Sequence, residues 1–145
     1  MNIVFVCTSN TCRSPVAELF AVEWFKRRLK LSREEQEQKG IRIQSAAITD
    51  AFEKPGSPAS LNAIKVMKEY QIDLSAHRSQ MLTEQMVMEA DFVLFPKIKE
   101  RKGVLCVFPR DVPDPWHMPY DTYMENIAQM EESVREFLEK NITFD

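Results

Sequence analysis

The chain has 145 residues, enough to bury a core as one domain spanning 1–145. Its 19 Lys and Arg against 22 Asp and Glu leave a formal net charge of −3. A general electrostatic attraction to nucleic acid or to an anionic membrane therefore has no support, and any bound anion must be held by local geometry. No stretch approaches the roughly 18 apolar residues of a membrane span, and the opening MNIVFV is too short and too uncharged for a signal peptide. Three cysteines, an odd number, argue against a secreted disulfide framework, so the expected location is cytoplasmic.

NIVFV (2–6) is a continuous apolar run, as expected for a strand covered on both faces. Ser14 and Pro15 supply an N-cap and a favoured first helical residue, and Val16, Leu19, Phe20 and Trp24 form one helical face. SREEQEQKG carries a capping-box pattern from Ser32 to Glu35 and a terminating Gly40. It reads either as a helix that breaks and restarts or as a charged, solvated extension. IRIQSAA (41–47) suggests a second strand, and Ser57-Pro58 opens a helix with Leu61, Ile64, Met67 and Tyr70 on one side. An irregular turn over IDLSAHRSQML precedes a short helix capped by Thr83. DFVLF (91–95) and VLCVF (104–108) are two further buried-strand candidates, and the connector from Pro96 to Gly103 is short for a helical crossover. Tyr123, Ile127, Met130, Val134 and Phe137 step by four and three along a closing helix.

Strands alternating with helices imply an α/β fold with a parallel sheet and helices on both faces. In such sheets ligands bind beyond the carboxyl ends of the strands, where the segment CTSNTCRSP begins. Cys7 ends the first strand and Arg13 precedes the helix start, so the five residues Thr8, Ser9, Asn10, Thr11 and Cys12 must fold back between them. Such a loop turns backbone N–H groups inward as a nest for a tetrahedral anion at the positive end of a helix. The planar fork of Arg13 can grip two phosphate oxygens at once. A helix N-terminus and a nearby arginine favour thiolate over thiol, which marks Cys7 as a nucleophile able to attack phosphorus. Ser14 is placed to donate a hydrogen bond to that thiolate, and Asn10 tolerates the left-handed backbone that a tight turn demands.

A phosphocysteine route needs an acid for the leaving group and later a base for water. Asp114, stiffened by prolines on both sides in VPDPWHMP, is the candidate; the bland alternative is a turn-forming Asp-Pro. Trp116 either packs against a flat substrate group at the rim or belongs to the core, and His117 is a weaker rim candidate. Phe52 either walls the cleft or anchors its loop. His77 either braces the phosphate loop or fills a polar turn, with structural support the better reading. Neither histidine has ligands at metal spacing, so no metal is expected, and Cys106 within VLCVF reads as an inert core thiol.

VCTSNTCRSPVAE, SAA at 45–47, DLSAHRS and PDPW together resemble, in order and over nearly the whole chain, the low-molecular-weight protein tyrosine phosphatase family. The resemblance implies a flavodoxin-like, four-stranded parallel sheet without cofactor; the expected partner is a phosphorylated protein substrate, with no nucleic acid or membrane, and the chain is expected to be a monomer. It implies Cys7 as nucleophile, Arg13 as transition-state clamp, Ser14 as thiolate stabiliser, Asn10 and His77 as loop supports, and Asp114 as acid and base. Cys12 would be the thiol that protects Cys7 through a reversible disulfide. Ser9 stands where the family usually has glycine, the connector between the last two strands is shortened, and 32–40 looks like an insertion. Thr11 stands where tyrosine phosphatases of the family usually carry a larger aliphatic residue, whereas the bacterial protein-arginine phosphatase branch has NTCRSP. A β-branched polar residue narrows the pocket floor and offers a hydroxyl near the scissile bond, which favours phosphoarginine over phosphotyrosine.

Two rivals differ in class. A thiol arsenate reductase resembles the loop but uses further cysteines, and no cysteine pair occurs around residues 75–95. A non-catalytic phosphoprotein-binding module would require neither Cys7 nor Asp114.

Overall fold

The computed structural model describes residues 1–95 and 118–144. Among these, three strands form one parallel sheet: β1 (Asn2–Cys7), β2 (Arg42–Ala47) and β3 (Phe92–Leu94), in the order β2-β1-β3. β1 is central, pairing in register from Asn2 opposite Arg42 to Cys7 opposite Ala47, and from Ile3 opposite Phe92 to Phe5 opposite Leu94. Ile3, Val4, Phe5 and Val6 are all buried, because a central parallel strand meets packed side chains on both faces and needs apolar residues at every position. The fourth strand expected at 104–108, the connector 96–103 and Cys106 lie outside the described residues.

Five helices complete these residues: α1 (Arg13–Leu29), α2 (Arg33–Gln38), α3 (Leu61–Glu69), α4 (Glu84–Glu89) and α5 (Tyr120–Asn141). α1 buries Val16, Ala17, Phe20, Ala21 and Phe25, packing against β1, β2 and α5. α5 answers with Tyr123, Ile127, Met130, Val134 and Phe137, the stripe expected from its spacing. At about 25 cal/mol per Å² of apolar surface removed from water, such facing stripes hold helices that would be marginal alone. No helix among the described residues is long and apolar enough to cross a membrane.

The reading of 32–40 as a break and restart is the one observed. α1 stops at Lys30, which adopts a left-handed conformation (φ 58°), and Ser32 opens α2 with a complete capping box. Its hydroxyl takes the Glu35 N–H at 3.2 Å, and the Glu35 carboxylate takes the Ser32 N–H at 3.2 Å. Beyond α2, Gly40 sits at φ 82°, a conformation that L side chains rarely adopt. Arg33 fastens this segment to the body, pairing with Glu18 at 3.1 Å and donating to the Ile43 carbonyl at 2.8 Å.

Two expected caps are corrected. Ser14 is not the N-cap of α1 but lies inside its first turn; Cys12 occupies the cap position and makes no side-chain cap bond. Ser57 does not open α3, since Pro58 is engaged in an antiparallel bridge with Arg78 and the helix starts three residues later behind Ser60. The Ser60 hydroxyl accepts the Ala63 N–H at 3.3 Å. Starting there turns Leu61 outward, 75% exposed, and makes Ala63, Val66 and Met67 the buried face. Thr83 caps α4 as expected, accepting the Met86 N–H at 3.1 Å.

The turn over residues 71–82 is fixed by long-range pairing. Met81 bridges in parallel to Ala47, the Ala47 N–H reaches the Gln80 carbonyl at 2.7 Å, and the Leu82 N–H reaches the Ala47 carbonyl at 2.9 Å. These bonds bring His77 and Gln80 to the carboxyl end of β1.

Candidate active site

The chain leaves β1 at Cys7 and re-enters regular structure at Arg13, at the point where the sheet's connections diverge to β2 on one side and β3 on the other. In doubly wound folds this switch point is the place for a ligand. Asn10 makes the reversal possible: it alone within the loop has a positive φ, 57°. Asparagine visits this region more readily than residues with bulkier side chains. Ser9, which stands where a glycine was expected, is not in the left-handed region, so its side chain adds no backbone strain there.

Asn10 is fully buried and carries the loop's connections. Its Nδ2 donates to Ser14 Oγ at 2.7 Å and to Ser45 Oγ at 2.9 Å, and its Oδ1 accepts the Gln80 N–H at 3.0 Å. Because a backbone N–H can only donate, this last bond fixes which way the amide faces. The Asn10 carbonyl lies 2.7 Å from His77 Nε2, and a carbonyl only accepts, so Nε2 carries a proton. His77 thereby touches the loop from the turn at 71–82, and Gln80 adds a bond from its own amide to the Ser45 carbonyl at 3.0 Å.

These donors set the polarity around the sulfur. The Ser14 oxygen receives the Asn10 amide proton, which leaves the Ser14 hydroxyl proton for Cys7 Sγ, 3.0 Å away. The Ser14 backbone N–H points at the same sulfur from 3.4 Å. That N–H belongs to the first turn of α1, where backbone donors have no partner within the helix. A negative sulfur at Cys7 would thus receive two hydrogen bonds at the positive end of a helix. Arg13, 5% exposed, reaches Thr8 Oγ1 with Nη2 at 3.3 Å. Cys7 and Cys12 are both thiols and both buried.

A cavity of about 270 Å³ opens over the loop, lined by Cys7, Thr8, Ser9, Thr11, Cys12, Arg13, Phe52, Ser60 and Tyr123. Phe52 is 56% exposed at its edge, whereas Tyr123 is buried. The structure thus brings together every expected loop residue, with Phe52 on the cavity and His77 behind it. Asp114, Trp116 and His117 lie outside the described residues. Among the described residues no group of three or more His, Cys, Asp or Glu could hold a metal ion.

Three contributors were not anticipated from sequence. The spacing of Tyr123 marks it as part of a core stripe, and its position in the first turn of α5 lets it serve both core and cavity. Ser60 carries an N-cap signature that the Ser57-Pro58 pair obscured. Gln80 acts on Asn10 through its backbone N–H, for which side-chain identity gives no signal.

The loss of the Asn10 side chain is expected to be costly. Asn10→Ala removes three buried hydrogen bonds and places alanine in a left-handed conformation, for a loss of roughly 3 kcal/mol. In a domain of this size the thermal midpoint should drop by about 10 °C. Asn10→Gly, which removes the backbone penalty alone, should recover only about 1 kcal/mol of it. Thermal melts followed by circular dichroism measure both; a melt of Asn10→Ala within 2 °C of the parent would contradict the bracing role.

A cysteine thiol at the end of the central parallel strand, facing the N-terminus of the next helix, suits the class of cysteine-based phosphatases. The family model for low molecular weight phosphotyrosine protein phosphatases matches residues 2–143, and the chain belongs to that family of hydrolases. It is 31% identical to a protein-arginine-phosphatase of Bacillus subtilis over 94% of this chain and 93% of the relative. The low molecular weight protein tyrosine phosphatase of T. tengcongensis superposes with a TM-score of 0.77 at 30% identity, covering 97% of this chain and 99% of that one. The YwlE arginine phosphatase, in a cysteine-to-serine form with a phosphorylated active-site serine, superposes with a TM-score of 0.73 at 28% identity, covering 97% of both chains.

Proposed function

We propose that this chain hydrolyses phosphorylated protein side chains, phosphoarginine in preference to phosphotyrosine, through a phosphocysteine intermediate. The Cys7 thiolate attacks phosphorus while the bond to the leaving nitrogen or oxygen breaks and Asp114 gives that atom its proton. Water then loses a proton to Asp114 and attacks the phosphocysteine, breaking the P–S bond and releasing phosphate and thiolate. Arg13 and the inward N–H groups of residues 8–13 hold the three equatorial oxygens, whose charge is greatest in the transition state. Ser14 stabilises the departing thiolate, Asn10 and His77 keep the loop in shape, and Cys12 guards Cys7 by a reversible disulfide. In this reading 104–108 supplies the fourth strand of a flavodoxin-like sheet with helices on both faces.

The observation that carries the reaction type is the pair of donors on Cys7 Sγ, the Ser14 hydroxyl at 3.0 Å and the Ser14 N–H at 3.4 Å. The substrate preference rests on Thr11, which lines the cavity beside Cys7 and Cys12, and is supported by the likeness to the Bacillus subtilis protein-arginine-phosphatase. A planar phosphoguanidinium carries N–H groups around its leaving nitrogen, and a hydroxyl on the wall can accept from them. The ring of phosphotyrosine has none. Thr11→Ile is expected to lower the ratio of kcat/KM for phosphoarginine over phosphotyrosine by about tenfold or more. The deciding assay compares matched phosphoarginine and phosphotyrosine peptides with the parent protein. Faster turnover of phosphotyrosine, or a ratio unmoved by Thr11→Ile, would reverse the assignment.

A further inference from the structure

We infer that Ser60, the N-cap of α3, is a specificity-determining residue that meets the leaving group beside Thr11; the inference rests on the phosphoarginine reading above. The two residues are coupled by the backbone. The Ser60 N–H donates to the Thr11 carbonyl at 2.8 Å, which ties the start of α3 to the loop and sets both residues on the wall of the same 270 Å³ cavity. The Ser60 hydroxyl oxygen takes the Ala63 N–H at 3.3 Å, a long bond that uses one lone pair and orients the side chain. A hydroxyl has a second lone pair and a proton of its own.

That inventory suits a phosphorylated guanidinium. As the P–N bond breaks, the leaving group becomes a full guanidinium whose N–H groups lie in one plane and seek acceptors. Thr11 and Ser60 each carry a hydroxyl, and both residues line the cavity on adjoining segments. A hydroxyl accepts without adding a negative charge, so it does not repel the phosphoryl dianion held by the loop, as an aspartate at the same cap would. Phosphotyrosine gains nothing from the arrangement, because its ring presents carbon to the wall.

The test separates the hydroxyl from the cap. Ser60→Gly removes the hydroxyl and, glycine being a fair N-cap, leaves the helix start largely intact. Ser60→Thr keeps both hydroxyl and cap. With the matched peptides, Ser60→Gly is expected to lose about tenfold in kcat/KM on phosphoarginine and less than about twofold on phosphotyrosine, with unchanged inhibition by inorganic phosphate. Ser60→Thr should restore the parent ratio. Equal losses on both peptides, or an unchanged ratio in a parent that prefers phosphoarginine, overturn the role of Ser60 alone. A parent that prefers phosphotyrosine overturns the phosphoarginine reading itself and the role of Ser60 with it.

Discussion

Cys7→Ser is expected to lose about 10⁴-fold or more of kcat on an aryl phosphate while still binding inorganic phosphate. The reason lies in the direction of the hydrogen bonds around position 7. Ser14 Oγ receives the Asn10 amide and donates toward Sγ at 3.0 Å, and the Ser14 N–H also donates, so both neighbours supply protons and neither removes one. A sulfur anion there is soft and doubly hydrogen-bonded, and a thiol is the kind of acid that can supply one without a neighbouring base. An alcohol is far too weak an acid for that and finds no base on these atoms. The cradle for the anion, made by Arg13 and the N–H groups at the start of α1, is untouched by the change. Initial rates and calorimetric titration with phosphate check the two halves separately. Turnover within tenfold of the parent would remove Cys7 as nucleophile, and loss of phosphate binding would show that the thiolate was organising the cradle rather than reacting within it.

Arg13→Lys is the second large effect, an expected fall in kcat of about 10²–10³. Arg13 is 5% exposed and oriented by a 3.3 Å bond to Thr8 Oγ1, so its guanidinium is held rather than searching. Lysine preserves the charge but replaces a planar fork with a point donor on a flexible stem, so it cannot address two equatorial oxygens in one plane. Since charge is conserved, phosphate affinity should weaken less than kcat, by about tenfold or less. A kcat within threefold of the parent would mean that charge alone is needed. The split between kcat and phosphate affinity separates a transition-state contact from a ground-state one.

The parts of this molecule legible from sequence are those governed by neighbours along the chain. The apolar run of β1, the stripe of α5, the capping box at Ser32 and the cap at Thr83 all follow rules of short reach, and each was where its pattern put it. Ser14 and Ser57 failed for one reason. Both satisfy the local signature of a helix start, but partners outside the helix claim the residues: the Cys7 sulfur takes the Ser14 hydroxyl, and Arg78 pairs with Pro58. The site shows the same division. Cys7, Arg13 and Ser14 stand close in the chain and their spacing announces them. Ser60 and Tyr123 reach the cavity only through packing of α3 and α5, and Gln80 holds Asn10 with a main-chain group that every non-proline residue possesses.

The buried amide of Asn10 ties residues separated by 4, 35 and 70 positions in sequence, Ser14, Ser45 and Gln80, into one junction. Such a junction makes the anion cradle a property of the assembled domain. A chain in which only β1 and α1 have formed lacks the partners that hold the loop at its left-handed turn. Phosphate is therefore expected to bind the native state and not its partly folded precursors, and at 100 times its dissociation constant it should add about 2.7 kcal/mol to the stability of the whole domain. By the same linkage the loop opens together with the sheet edge and the turn at 71–82. Hydrogen exchange at residues 8–14 should then carry the opening free energy of the core, although the segment lies at the mouth of a solvent-filled cleft.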